Sequence, residues 1–97
     1  MKRVYLVFQT GSHQQTIYPL LETTTIGRDS GNLIPLPDPT ASRYHAKVHY
    51  EEGSWVVEDL GSTNGIIFSG KRVEKISLSH GDTFQIGKTS FAVVERE

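Results

Sequence analysis

Glycine and proline divide this chain so finely that long helices have no room to form. Nine glycines and four prolines are spread over 97 residues, and the longest stretch without either covers residues 40–52. Proline breaks the hydrogen-bond ladder of a helix, and glycine inside a helix is less favourable than alanine by about 1 kcal/mol. We therefore expect short elements joined by tight turns.

The segments between these breaks have the pattern of β-strands. The clearest begins at Ala46, where Ala46, Val48 and Tyr50 alternate with polar neighbours, as in a half-buried strand. A helix from Ser42 is the competing interpretation. The same alternation, or enrichment in β-branched residues, predicts strands over residues 4–8, 16–21, 23–26, 54–58, 83–86 and 89–94, with shorter pieces near 33–34, 66–68 and 72–73.

Turn signals separate these strands, among them Asn64-Gly65 and Gly87-Lys88. Many short strands with tight turns predict an all-β fold, either an antiparallel sandwich or a barrel. Segment 31–39 departs from the pattern because it carries three prolines within five residues. We expect it to be a stiff, extended surface loop, and we expect Trp55 to lie in the core.

Size and charge limit the classes of function. The length fits one domain spanning residues 1–97, and a net charge of -1 supplies no general field for nucleic acid or anionic membranes. The absence of cysteine excludes disulfides and thiolate chemistry. No apolar stretch approaches the roughly 18 residues of a membrane span. We expect a cytoplasmic protein with neither nucleic-acid nor membrane partners.

Three clusters between the predicted strands are rich in hydrogen-bond donors. They are Gly27-Arg28, Ser42-Arg43-Tyr44-His45 and Gly61-Ser62-Thr63-Asn64-Gly65. None contains a catalytic carboxylate. Guanidinium, hydroxyl and amide groups beside flexible glycines can bind an anion and a peptide backbone, so these loops predict a local anion-binding site.

The order of these clusters resembles a forkhead-associated (FHA) domain. The pattern is Gly27-Arg28, then Ser42 and His45 three residues apart, then Asn64-Gly65, and the resemblance extends from the first predicted strand to the last. Each dipeptide alone is common, but the ordered set on an all-β pattern is specific. The resemblance implies a two-sheet antiparallel β-sandwich of about eleven short strands, which binds phosphothreonine in an extended peptide and catalyses no reaction.

The resemblance also implies a role for each matching residue. Arg28 and Ser42 would hold phosphate oxygens, Arg43 would add a second cation, Thr63 would line the pocket, and Asn64 would bond to the peptide backbone. His45 would brace the binding loops without touching the peptide, while Gly27 and Gly65 would let the backbone approach and turn. A phosphothreonine side chain has about -1.5 to -2 charge and three acceptor oxygens, so it requires several convergent donors, which Arg28, Ser42 and Arg43 supply.

Simpler interpretations exist for the same residues. Arg28 could pair with Asp29, Thr63 and Asn64 could form only a hairpin turn, Arg43 could point to solvent, and Tyr44 could serve only in packing. Ser42, His45 and Asp59 have the residue types of a hydrolytic triad, but the chain has no Gly-x-Ser-x-Gly elbow.

No metal or cofactor is expected. His45 and His49 would be about 13 Å apart on a strand, too far to share one ion. Segment 81–89 resembles a nucleotide-binding loop, but five residues separate its glycines where the motif has four.

The sequence thus predicts a non-catalytic phosphothreonine-peptide recognition module whose partner is a protein phosphorylated by a Ser/Thr kinase. The main alternative is a phosphate-independent assembly surface built from the same loops. The proline-rich loop 35–41 leaves the preference for neighbouring peptide residues open.

Overall fold

The computed structural model describes residues 2–10 and 14–97. Within these residues the chain forms eleven β-strands: β1 (Arg3–Gln9), β2 (Gln15–Pro19), β3 (Thr24–Gly27), β4 (Ile34–Pro35), β5 (Ala46–Glu51), β6 (Ser54–Asp59), β7 (Ile66–Phe68), β8 (Lys71–Val73), β9 (Lys75–Ser77), β10 (Thr83–Ile86) and β11 (Thr89–Arg96). In this described part, nothing helical is long and apolar enough to cross a membrane.

The strands form two sheets that pack as a sandwich. One sheet has six strands in the order β2-β1-β11-β10-β7-β8, and the other has five in the order β4-β3-β5-β6-β9. The predicted two-sheet antiparallel β-sandwich is confirmed, with one exception: β3 and β4 run parallel. Because β5 pairs antiparallel with both β3 and β6, the loops after β3, before β5 and after β6 meet at one end of the five-stranded sheet.

The core lies between the two sheets and is built from alternate strand residues. Leu6 and Phe8 point inward from β1, and Phe91 points inward from β11. Phe91 stacks on Phe84 with ring centroids 5.1 Å apart and also contacts Phe8 at 4.8 Å. These rings bury a large apolar area between the sheets. The packed core gives the binding loops a rigid base.

The strand predictions hold, with a few corrections. Residues 46–51 form β5, so the helix from Ser42 is wrong. Strand β9 was not predicted, because Ile76 is its only apolar residue and gives no alternating pattern. Tyr50 is 62% exposed although it shares a face with buried Val48, since it lies beyond the end of the core. Trp55 is also only half-buried there.

The proline-rich segment is anchored more deeply than a surface loop would be. Ile34 and Leu36 are buried, while Pro35 and Pro37 are exposed. Within this segment, Ile34 and Pro35 form the edge strand β4. An edge strand tolerates proline because one side of its backbone has no partner strand, so the segment alternates inward and outward residues despite its prolines.

Replacing Phe91 by alanine should lower the free energy of unfolding by about 3–5 kcal/mol, because it leaves a cavity between two aromatic rings in a fully buried site. Urea unfolding measures this loss. Ile17→Ala, at a residue that is 63% exposed, is the matched control and should change stability by no more than about 0.5 kcal/mol. Equal effects of the two substitutions would contradict this account of the core.

Candidate functional site

Three loops converge on a pocket of about 380 Å³ at one end of the sandwich. We call it the loop-end pocket. It is lined by Arg28, Pro39, Thr40, Ala41, Ser42, Arg43, Thr63 and Asn64. All five residues predicted to bind the peptide are in this set, although they come from loops up to 36 positions apart in the chain, from residue 28 to residue 64.

Arg28 follows β3 directly and is fixed to the neighbouring loop by its backbone and its side chain. Its backbone N–H donates to the Ser42 carbonyl at 3.0 Å, and its Nε donates to the Ala41 carbonyl at 3.1 Å. Both terminal nitrogens of the guanidinium lack a hydrogen-bond partner among the described residues. The side chain is therefore held in place while its two terminal nitrogens stay free to donate.

No carboxylate of the described residues lies within 4.0 Å of Arg28 or Arg43. The Arg28–Asp29 ion pair considered above is thus not formed. The Asp29 carboxylate instead accepts bonds from Gly31 N at 2.8 Å and from the Tyr44 hydroxyl at 2.9 Å. The Gly31 bond and then the Tyr44 bond hold the pKa of Asp29 below its ordinary value, and the same Asp29–Tyr44 bond raises the pKa of Tyr44.

Tyr44 is half-exposed and was expected to serve in packing. Its side chain is 52% exposed, and its hydroxyl contacts the acid beside Arg28. Tyr44 therefore does more than pack, since it also donates a hydrogen bond to Asp29. Because its hydroxyl donates to the Asp29 carboxylate, Tyr44 helps to keep that carboxylate from forming an ion pair with either arginine.

Ser42 joins two of the loops through its hydroxyl. Its Oγ accepts a hydrogen bond from the Thr63 backbone N–H at 3.0 Å. A hydroxyl has one hydrogen to donate in addition to its acceptor lone pairs, so Ser42 keeps that hydrogen for another acceptor. The half-buried Ser42 side chain lines the loop-end pocket, which makes a bound anion a suitable acceptor.

His45 is fully buried and bridges the loops before β5 and after β6. Its Nδ1 accepts from the Ser42 backbone N–H at 3.0 Å, and its Nε2 lies 2.7 Å from the Gly65 carbonyl oxygen. An amide N–H can only donate and a carbonyl can only accept, so the ring is neutral with its hydrogen on Nε2. The ring is enclosed and does not line the loop-end pocket.

The two glycines predicted to support the loops stand where a side chain would collide. A Cβ on Gly27 would overlap the carbonyl oxygen of Arg43, which crosses directly over it. Gly65 has a φ of 75°, in the left-handed region, and the Arg72 side chain lies against it. Glycine is therefore required at both points for the loops to approach as closely as they do.

Asp59 at the end of β6 organises the third loop. Its carboxylate accepts from the backbone N–H groups of Gly61 at 3.1 Å and Ser62 at 3.0 Å, and from the Ser62 hydroxyl. The Ser62 oxygen in turn accepts from Gly65 N at 2.8 Å. This capping turn holds Thr63 and Asn64 outward at the loop tip, where both are exposed.

The arrangement does not form a hydrolytic triad. The Ser42 hydroxyl bonds to Thr63, and only the backbone of Ser42 contacts the His45 ring. Asp59 Oδ1 lies 4.0 Å from His45 Nε2, whose hydrogen is directed to Gly65. No serine–histidine bond is therefore available to activate a nucleophile here. Within the described ranges, no group of three potential metal ligands occurs either.

Asn64 connects the loop tip to the loop before β5. One of its side-chain N–H groups donates to the Thr40 carbonyl at 3.0 Å. The amide oxygen and the second amide hydrogen have no hydrogen-bond partner in the part of the chain described. These two groups can pair with a peptide backbone, which itself offers a donor and an acceptor.

Asp38 is a supporting residue that the sequence did not reveal. Its buried carboxylate accepts from the backbone and hydroxyl of Thr40, from Lys88 N at 2.7 Å and from the Thr89 hydroxyl at 3.2 Å. It thus ties the proline-rich loop to the turn between β10 and β11. Burial is the largest single effect and opposes ionisation, but the hydrogen bonds together outweigh it and lower the pKa of Asp38. The Asp38-Pro39-Thr40 sequence is a local turn signal that could have suggested the Thr40 contacts.

Asn32 and Arg72 also support the loops. The Asn32 amide nitrogen donates to the carbonyls of Asp29 and Arg43, both at 2.8 Å. Arg72 points its guanidinium toward the carbonyls of Ser62 and Thr63, each at 3.4 Å. The Asn32–Asp29 bond is local, but the bonds from Asn32 to Arg43 and from Arg72 to Ser62 and Thr63 join residues 9 to 11 positions apart, which no local pattern indicates.

Comparison with known proteins gives a consistent result. The family model described as FHA domain matches residues 24–87. The oxoglutarate dehydrogenase inhibitor of Corynebacterium diphtheriae is 41% identical over 73 residues, covering 75% of this chain and 51% of that protein. The chain therefore spans about half the length of this relative.

Two solved structures match almost the whole chain. The FHA domain of CT664 from Chlamydia trachomatis has a TM-score of 0.87 at 31% identity, covering 98% of this chain and 99% of that one. A structure described as an analysis of phosphothreonine-dependent FHA domain interactions has a TM-score of 0.85 at 29% identity, covering 98% of each chain.

Substituting Asp38 by asparagine should destabilise the fold by about 1–3 kcal/mol at pH 7, because an amide nitrogen cannot accept the hydrogen bonds that the second carboxylate oxygen receives. The pKa of Asp38 is lowered from 3.8, so its contribution is present above that pH and is lost as the pH falls through the lower folded-state value. The stability difference between variant and wild type should therefore narrow below pH 3.8.

Urea unfolding at several pH values measures this difference. The control is Glu22→Gln, which changes an exposed carboxylate whose side chain makes no described hydrogen bond or ion pair. This control should unfold like the wild type at neutral pH. A wild-type midpoint for Asp38→Asn at pH 7 would refute the anchoring role.

Proposed function

The chain belongs to the FHA domain family, and from this premise we propose that it is a non-catalytic module that binds phosphothreonine in an extended peptide. Its partner is then a protein phosphorylated by a Ser/Thr kinase. The single observation that carries this proposal is that the guanidinium groups of Arg28 and Arg43, neither of which pairs with a described carboxylate, converge with the Ser42 hydroxyl on the loop-end pocket. Such a set of donors matches the charge and the three oxygens of a phosphate ester.

The proposed arrangement assigns each side of the pocket a different part of the ligand. Arg28, Ser42 and Arg43 hold the phosphate. Thr63 lies beside the threonine methyl group, and Asn64 bonds to the peptide backbone through its free amide groups. His45, Gly27 and Gly65 support the loops without touching the ligand.

The hydrogen bonds among the loops favour binding because they fix the donors in advance. Arg28 is tied to Ala41, Ser42 to Thr63, and Asn64 to Thr40. A site whose groups are already ordered loses less conformational entropy when the ligand binds. Phosphothreonine dependence is also named for one of the solved FHA structures that resembles this chain along 98% of its length.

Truncating Arg28 tests the phosphate contact directly. Arg28→Ala should raise the Kd for a phosphothreonine peptide by about a hundredfold, since it removes charge-assisted hydrogen bonds worth about 3 kcal/mol. Arg28→Lys should lose less, because it keeps the charge but not the planar fork of donors. Isothermal titration calorimetry measures both variants.

The same experiment separates the proposal from a phosphate-independent assembly surface. Phosphatase treatment of the peptide should abolish binding to the wild type. Lys71→Ala, an exposed cation of β8 that does not line the loop-end pocket, is the control and should leave the Kd unchanged. Binding that persists after phosphatase treatment and in Arg28→Ala would favour the assembly surface.

Phosphothreonine should bind more tightly than phosphoserine. The added methyl group would pack beside Thr63 and stiffen the ligand side chain, and burying one methyl group contributes about 0.8 kcal/mol, or roughly fourfold in Kd. Calorimetric titration with two peptides that differ only at this residue measures the ratio. Equal affinities would count against a pocket for the methyl group, and Thr63→Gly should reduce the discrimination.

A further inference from the structure

An apolar cleft of about 460 Å³ lies at the end of the sandwich opposite the loop-end pocket. We call it the far-end cleft. Its lining includes Tyr5, Leu21, Tyr50 and Trp55, together with the cations Lys2 and Arg3. Tyr50 and Trp55 face each other across β5 and β6, four residues along each strand from Ala46 and Asp59 at the pocket end. Four strand residues span about 13 Å, so the two sites are separate.

The far-end cleft leaves inward-facing aromatic surface uncovered. Tyr50 lies on the same face of β5 as buried Val48, yet it is 62% exposed, and its ring meets Trp55 edge-on at 5.4 Å. Leu21 beside them is 82% exposed. Leu21, Ile17 and Tyr50 are the most exposed large hydrophobic side chains among the described residues. This end therefore presents apolar surface of the kind that marks a contact with another molecule.

A second hollow continues this surface over the outer face of the six-stranded sheet. It measures about 330 Å³ and is lined by Tyr5, Val7, Gln15, Ile17, Val94 and Arg96. Tyr5 lines both hollows, so the apolar surface is continuous. Ile17 is 63% exposed there, although the outer face of an antiparallel sheet is commonly polar.

Two arginines stand together between these apolar areas. Arg3 of β1 is directly opposite Arg96 of β11 in the sheet register. No carboxylate of the described residues lies within 4.0 Å of either side chain. The neighbouring Glu95 instead forms an ion pair with Lys2, with 3.7 Å between Glu95 Oε2 and Lys2 Nζ. Like charges directly opposite each other destabilise a sheet, so an anion placed between these arginines would be stabilising.

We propose that this surface is a second binding site, independent of the phosphate contact. It takes an extended segment of a partner protein in which an acidic side chain lies between two large apolar side chains. The carboxylate pairs with Arg3 and Arg96, one apolar side chain fills the far-end cleft, and the other covers Ile17. In an extended segment, alternate side chains share a face and are about 7 Å apart. The side chain that fills the far-end cleft, which Arg3 itself lines, is therefore two positions from the acid. Ile17 is opposite Val7, four residues or about 13 Å along β1 from Arg3, so the side chain that covers Ile17 lies four positions from the acid on the other side.

Trp55 makes this proposal measurable, because it is the only tryptophan in the chain and lines the far-end cleft. The probe is a capped heptapeptide of sequence Leu-Ser-Asp-Ser-Ser-Ser-Leu, and its control carries asparagine in place of aspartate. Titration at low salt should produce a saturable change in Trp55 fluorescence. The aspartate peptide should bind about two- to fivefold more tightly than the control, as for a partly exposed ion pair.

Matched variants locate the binding. Arg3→Gln should abolish the difference between the two peptides, and Leu21→Ser should weaken both of them. Both positions are exposed, so these variants should fold like the wild type. Arg28→Ala should leave heptapeptide binding unchanged, which distinguishes this surface from the loop-end pocket.

Four results would overturn the proposal. The first is unchanged Trp55 fluorescence up to millimolar peptide, and the second is equal affinity of the two peptides. The third is loss of the signal in Arg28→Ala, which would place the peptide in the loop-end pocket. The fourth is a fluorescence change that depends on protein concentration alone, which would assign the surface to a second copy of this chain.

Discussion

The binding end of this sandwich depends on one buried imidazole. His45 accepts a hydrogen bond from Ser42 N on one side and donates to the Gly65 carbonyl on the other. The two partners belong to different loops, and each offers only one kind of hydrogen-bonding group. A side chain that is both donor and acceptor, and short enough to be enclosed, is needed between them. Without it, two backbone groups would be buried without partners, and the loops would have no fixed separation.

A nearly neutral chain can still present a cationic pocket, because the nearby acids form no ion pair with the arginines that line it. Three acids near the pocket accept hydrogen bonds from neighbouring loop groups. Asp29 accepts from Gly31 and Tyr44, Asp38 accepts from four donors, and Asp59 accepts from the turn at Ser62. Their carboxylates are held by hydrogen bonds within the loops and form no ion pair with Arg28 or Arg43 among the described residues. The net charge of -1 therefore says little about the local field, which depends on where each acid finds its donors.

The sequence predicted the parts of this structure that rest on local pattern. Strands with alternating residues were recognisable, and so were the clusters around Arg28, Ser42 and Asn64, because each is a short run beside a turn. Asn32 and Arg72 were not, since their contacts cross between loops and appear only after the sheets have paired. Tyr50 illustrates the opposite failure. The alternation of apolar and polar residues correctly placed Tyr50 on the inner face of a strand. That alternation does not show where the opposing sheet ends, so it could not predict that Tyr50 is exposed.

The exposed position of Tyr50 has a further physical consequence. Strands β5 and β6 run from the loop-end pocket to Tyr50 and Trp55 in the far-end cleft, so one pair of hydrogen-bonded strands joins the two ends. Paired strands do not stretch, which keeps the distance between the ends constant. A partner that carries a phosphothreonine and a separate apolar–acidic segment would then bind with an effective concentration set only by its own linker. Two weak contacts on such a rigid spacer can together select a partner that neither would hold alone.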